Sequence, residues 1–129
     1  TLSTTLTGAN NDLTFTPTPN YRGAIGNTIT VTYVDPPGND AALGVVVTDT
    51  DIVVNLATDG SSAITSTAAL VKAALEASAP AAALIGVAHK TGNDGTGVVT
   101  ALAETPLAGG TDWTIGYGGS RISRVKAPL

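Results

Sequence analysis

The 129-residue sequence contains no Cys, no Met, one His, one Trp and one Phe. Without Cys there is no disulfide, no thiolate metal site and no Cys/His nucleophilic pair, and the redox compartment is left open. With His89 as the single histidine there is no imidazole set for zinc, and no Gly-x-Ser-x-Gly elbow exists for it to serve as base. Only 12% of the residues are charged, so much of the surface is expected to be covered by neighbours. No apolar run approaches the ~20 residues that span a bilayer, and no basic segment precedes an apolar one at the start. A soluble chain is expected, and the small first residue in a Met-free sequence fits a processed or trimmed start.

Ala, Thr, Gly and Val predominate, which predicts one domain with a thin core of small and β-branched side chains. The net charge of −4 is unevenly spread. Residues 1–112 hold all ten acids against three bases, Arg22, Lys72 and Lys90, and so carry −7. Residues 113–129 hold Arg121, Arg124 and Lys126 and no acid, and so carry +3. An acidic body argues against nucleic-acid binding, which needs a broad basic face. The basic tail suits docking on an acidic protein surface, including that of a neighbouring copy.

Patterning predicts the elements. Thr1–Gly8 is uncharged and reads as an edge strand or an extended arm; Leu13–Thr16 reads as a strand with Leu13 and Phe15 on one face. Prolines and glycines from Pro17 to Gly26 mark a loop. Thr28–Val34 alternates strictly, with Ile29, Val31 and Tyr33 facing inward. Residues 42–57 read as a hairpin turning at Asp49–Asp51, so three adjacent antiparallel strands are expected before the helix. Ser66 or Thr67 caps that helix, and Ala68, Val71, Ala74 or Leu75, and Ser78 form its inward stripe with Leu70 beside them. Pro80 ends it or starts a short second helix capped by Ser78. Ile85–His89 and Val98–Leu102 follow as strands, with Thr105–Thr111 as an exit loop. Trp113, Ile115 and Tyr117 alternate before a basic arm. The expected fold is α+β: a small, mainly antiparallel sheet or sandwich covered by one principal helix, with extended N- and C-terminal arms on a body of residues 1–112.

Chemistry-bearing sets are thin. Asp35, Asn39 and Asp40 share a loop and Asp49, Asp51 and Asp59 sit in others, which would suit calcium, but no Asp-x-Asp-x-Asp-Gly run with a distal Glu is present. Turn geometry explains those residues as well. Asn93–Asp94–Gly95 reads as a tight turn with positive φ at Gly95. The glycines from Gly92 to Gly97 lack the Gly-Lys-Ser/Thr ending of a phosphate loop. Glu76 and Glu104 are the only glutamates, one on the helix and one in a loop, and five aromatics make no sugar platform. No catalytic residue, metal or cofactor is therefore assigned, and a non-enzymatic chain is expected.

The order of NDLTFT (11–16), GNTITVTYVDP (26–36), IVVNLATDGSSAITSTAALVKAAL (52–75) and GNDGTGVVTALAETPLAGGTD (92–112) resembles a domain recurrent in tailed-bacteriophage virion proteins. It occurs in head-decoration and other capsid- or tail-associated proteins, sometimes in tandem. The resemblance covers roughly residues 2–112 and departs at Pro17–Arg22 and after Asp112. It implies a capsid decoration (cement) protein, made in the host cytoplasm and carried on the virion. The implied partners are the major capsid protein or other virion proteins, with the chain itself a homo-oligomer or in lattice-related copies and no nucleic acid or membrane involved. A tail component (tube, sheath-associated or head-tail connector) and a surface-binding or adhesin module are the alternatives. The expected contact residues are Leu2 and Leu6 at one end and Trp113, Ile115, Tyr117, Arg121, Ile122 and Arg124 at the other, although Trp113 would serve equally as a core residue.

Overall fold

The computed structural model describes residues 1–111. Trp113, Ile115, Tyr117, Arg121, Ile122 and Arg124, and with them the expected C-terminal arm, lie outside the described residues. The fold is α+β, built from two sheets and one main helix.

The first sheet has the order β1-β2-β6. Leu13 and Phe15 in β2 (Leu13–Pro17) are fully buried, as their alternation requires. One edge of β2 pairs with β1 (Leu2–Ser3), Leu2 opposite Phe15, and the other with β6 (Ile85–His89). The start of the chain is thus an edge strand, and Leu2 and Leu6 are half-buried against the core. The loop after β2 is tighter than its composition implies, because it winds into 3₁₀ turns at Pro19–Tyr21 and Ala24–Thr28.

The second sheet contains β3 (Thr30–Val34), β4 (Gly44–Thr48), β5 (Asp51–Asn55) and β7 (Leu102–Pro106) in the order β4-β5-β3-β7. The β4–β5 hairpin is present, turning through Asp49 at φ +54°, a left-handed conformation that Asp tolerates. The expected run of three antiparallel neighbours is not. β5 lies between β4 and β3 and runs parallel to β3, from Thr30 opposite Asp51 to Val34 opposite Asn55. Parallel neighbours need a crossover, and residues 35–50, β4 included, provide it. The interior position suits β5, whose Ile52 and Val54 are fully buried, while β4 takes the edge with Gly44 and an exposed Val46. Four of the five strand pairings are antiparallel.

The last strand is also displaced from expectation. Val98 bridges to Thr67, and the Val99 amide donates to the Ser66 carbonyl at 2.9 Å, so this apolar pair lines the helix entry. The ladder forms later, over Leu102–Pro106, where Pro106 stands opposite Thr30 on a sheet edge, a place that tolerates a missing donor. Thr105 and Pro106, expected in the exit loop, belong to this strand.

Helix α1 (Ala68–Ala77) begins where Thr67 Oγ1 accepts from the Leu70 amide, and buries Ala68, Val71 and Leu75 while Leu70 faces solvent. Ser78 ends α1 and caps α2 (Ala79–Leu84), with Pro80 in its first turn. The two helices lie against β6 on one side and β4 on the other, closing one flank between the sheets. On the opposite flank the Thr1 nitrogen donates to the Ala108 carbonyl at 2.8 Å, and the Ala108 amide returns to the Thr1 carbonyl at 3.3 Å. Leu13, Phe15 and Ile85 from one sheet, Val31, Tyr33, Ile52 and Val54 from the other, and the helix stripe form one continuous core.

Leu75→Ala is expected to cost roughly 2–5 kcal/mol in urea unfolding, whereas Leu70→Ala on the opposite side of α1 stays within about 0.5 kcal/mol. Equal costs would show that α1 does not cover the core through this stripe.

Candidate interaction site

The two ends of the described chain meet. Asp12 straps the first residues down: its Oδ1 accepts the Thr4 hydroxyl and the Leu6 amide, each at 2.8 Å. Lys90 Nζ adds a bond to the Thr4 carbonyl at 2.9 Å. At the other end, Asn27 grips Gly110 twice, Nδ2 donating to its carbonyl at 2.9 Å and Oδ1 accepting its amide at 3.0 Å. Only glycine allows this approach, since a Cβ at residue 110 would stand 2.2 Å from the Gly23 carbonyl oxygen.

Between these anchors lies a cleft of about 300 Å³ lined by backbone, Thr16, Pro17 and Arg22, with Thr1 and Ala108 to Gly110 on its rim. Arg22 directly follows the 3₁₀ turn Pro19–Tyr21. Among the described residues, Arg22 is the one charged side chain that lines the cleft. What it offers is a guanidinium and backbone polar groups beside Gly110.

The other sequence candidates are held in local structure. The Asp59 carboxylate accepts from the Ala63 and Ser61 amides at 3.0 and 2.8 Å, and these bonds, Ala63 first, hold it below the usual carboxylate range. Asn39 bonds the Ser62 hydroxyl, and the Asp40 amide bonds the Asp59 carbonyl, so two loops are tied through turn groups. Asp51 and Glu104 each lie by the Thr30 hydroxyl, at 2.8 and 3.2 Å. Among the described residues no three His, Asp or Glu side chains gather to hold a metal. Glu76 pairs with Lys72 at 2.8 Å on the outside of α1.

The turn at Asn93–Gly95 forms as its residues demand. Gly95 has φ +82°, and a Cβ there would meet the His89 ring at 2.2 Å. Asp94 accepts from both the hydroxyl and the amide of Thr96, which lowers its pKa, the hydroxyl contributing most. His89 ends β6 against this turn, half-buried, with its Nδ1 enclosed and unpartnered. Tyr33 is raised well above the usual phenol range, first by burial and then by the Asp12 charge.

Of the expected contact residues, Leu2 and Leu6 fall at this meeting of ends. Arg22, Asn27 and Gly110 carry the site without having been expected there; the paired glycines after Leu107 were their one local signal, since the partners lie far apart in sequence. Comparison with protein-family models, curated protein sequences and solved structures finds no match to this chain.

Because the Asp94 pKa is lowered on folding, its contribution to stability is present above about pH 4 and fades as pH falls through the lowered value. Urea unfolding of wild type and Asp94→Ala at successive pH values should therefore show a gap at neutrality that closes in acid. A gap independent of pH would contradict this role.

Proposed function

We propose that this chain is a non-enzymatic structural protein of a tailed-phage virion, a capsid decoration protein that binds the head lattice through its two ends. The resemblance across residues 2–112 supports the virion setting. The observation that carries the mode of binding is the meeting of ends, with Thr1 bonded to Ala108 and Gly110 clamped by Asn27. A partner that engages the first residues also lies at the root of the basic tail, so both contribute to one contact area.

The chemistry agrees with this role. Carboxylates that might have formed a catalytic dyad or a calcium site serve as turn acceptors, as at Asp59 and Asp94. Leu2 and Leu6 keep part of their surface outside the core, and the tail residues Trp113, Ile115, Tyr117, Arg121, Ile122 and Arg124 add apolar area and positive charge. The partners in this reading are capsid subunits and neighbouring copies of the chain, on the particle surface after synthesis in the host cytoplasm. No helix among the described residues is long and apolar enough to cross a membrane.

Deleting residues 113–129 should abolish binding to purified capsids while a cooperative thermal transition persists. A truncated protein that still saturates capsids would overturn the role given to the tail, and a full-length chain that binds no capsid would overturn the decoration reading itself.

A further inference from the structure

The outer face of the four-stranded sheet is apolar at its middle and acidic at one end. Val46, Val53 and Thr32 form a cross-strand row, and Thr48, Asp51 and Thr30 form the next. Val46 is 52% exposed and Val34, at the far end of β3, 36%. Asp51 and Glu104 are the only charged side chains on these four strands, and both approach the Thr30 hydroxyl. Neither has an ion-pair partner among the described residues, where Lys72 and Lys90 are engaged by Glu76 and Asp12. The helices pack on the inner side of this sheet, through the core they share with Ile52 and Val54.

We propose that this face is the docking surface for residues 113–129 of a second copy of the chain, exchanged reciprocally in a two-fold dimer. Charge favours that occupant: the face carries two unpaired carboxylates and the segment carries Arg121 and Arg124 with no acid. Length allows it, since residues 112–129 span up to about 60 Å when extended, against about 15 Å across four strands. The order of residues selects a second copy over the same one. The chain passes the acidic end, where Pro106 faces Thr30 and Leu107 bonds Ile29, and the described residues end just past Gly110, held by Asn27 close to the start of β3. A tail running from there over its own sheet would lay Trp113, Ile115 and Tyr117 on the carboxylates and its arginines on the valines. Arriving from the valine end, as from a two-fold partner, the same segment sets its aromatic and aliphatic side chains on Val34, Val46 and Val53 and its guanidinium groups on Asp51 and Glu104. Such a contact is self-complementary and closes. This inference stands apart from the virion reading, because it concerns the free protein.

Sedimentation equilibrium of the full chain tests it. Wild type is expected to dimerise. Asp51→Lys with Glu104→Lys, both at exposed positions, should weaken the dimer roughly tenfold or more, and Arg121→Glu with Arg124→Glu should do the same. Mixing the two double variants pairs every reversed face with a reversed tail, and every native face with a native tail, so the mixture should regain wild-type affinity. Far-UV circular dichroism verifies that each variant is folded. A monomeric wild type, a dimer unmoved by both reversals, or a mixture that does not recover would each overturn the proposal. Capsid binding is not a readout here, so a failure leaves the decoration reading to its own test.

Discussion

Burial of the inner side of β5 is the constraint on which the rest of the molecule depends. Ile52 and Val54, with Leu56 just beyond the strand, are fully excluded from water between β3, β4 and the helix stripe of Ala68, Val71 and Leu75. A chain with so few large side chains has little apolar area to spend, so β5, whose Ile52 and Val54 are both fully buried, occupies one of the two positions where neighbours pair on both edges. That placement forces the parallel β3–β5 pairing, sends β4 to the edge and leaves the other edge of β3 for β7. It also fixes which side of the sheet the helices cover, and hence which side remains open.

The two sheets share a core but no strand ladder, and different devices hold their flanks together. Helices α1 and α2 close one flank by apolar packing, which is insensitive to direction along the strands. The other flank is closed by backbone bonds between Thr1 and Ala108, a directional contact of two residues. Asn27 holds Gly110 by two hydrogen bonds on that flank.

What could be read from the sequence was what neighbouring residues decide. Leu13 and Phe15, the Thr67 cap, the Ser78 junction with Pro80, and the Asp94–Gly95 turn are each dictated within a few residues, and each appears where expected. Strand order was not legible, because β3 and β5 each alternate in the same way whether they pair with one another or with β4. Val98 and Val99 look like the start of a strand, yet their backbone is taken up by Ser66 and Thr67, and the ladder slides on to Leu102. The cleft escaped for the same reason: Arg22 and Gly110, which line it, and Asn27, which holds Gly110, are brought together across more than 80 residues of sequence. The tetrad of β strands also brings Asp51 and Glu104 to one threonine, a pairing that no local spacing announces.

In the lattice role proposed above, the small-residue body keeps its shape through β5 while the exposed sheet and the basic tail are left for neighbours. The measurement that bears most directly on the proposed decoration role is an image, at subunit resolution, of tailed-phage particles prepared in the presence of the chain. The account predicts this two-sheet fold on the outer surface of the head, with each chain continuing past Gly110 onto an adjacent molecule. A particle that lacks the chain, or that holds it in the tail, would contradict it.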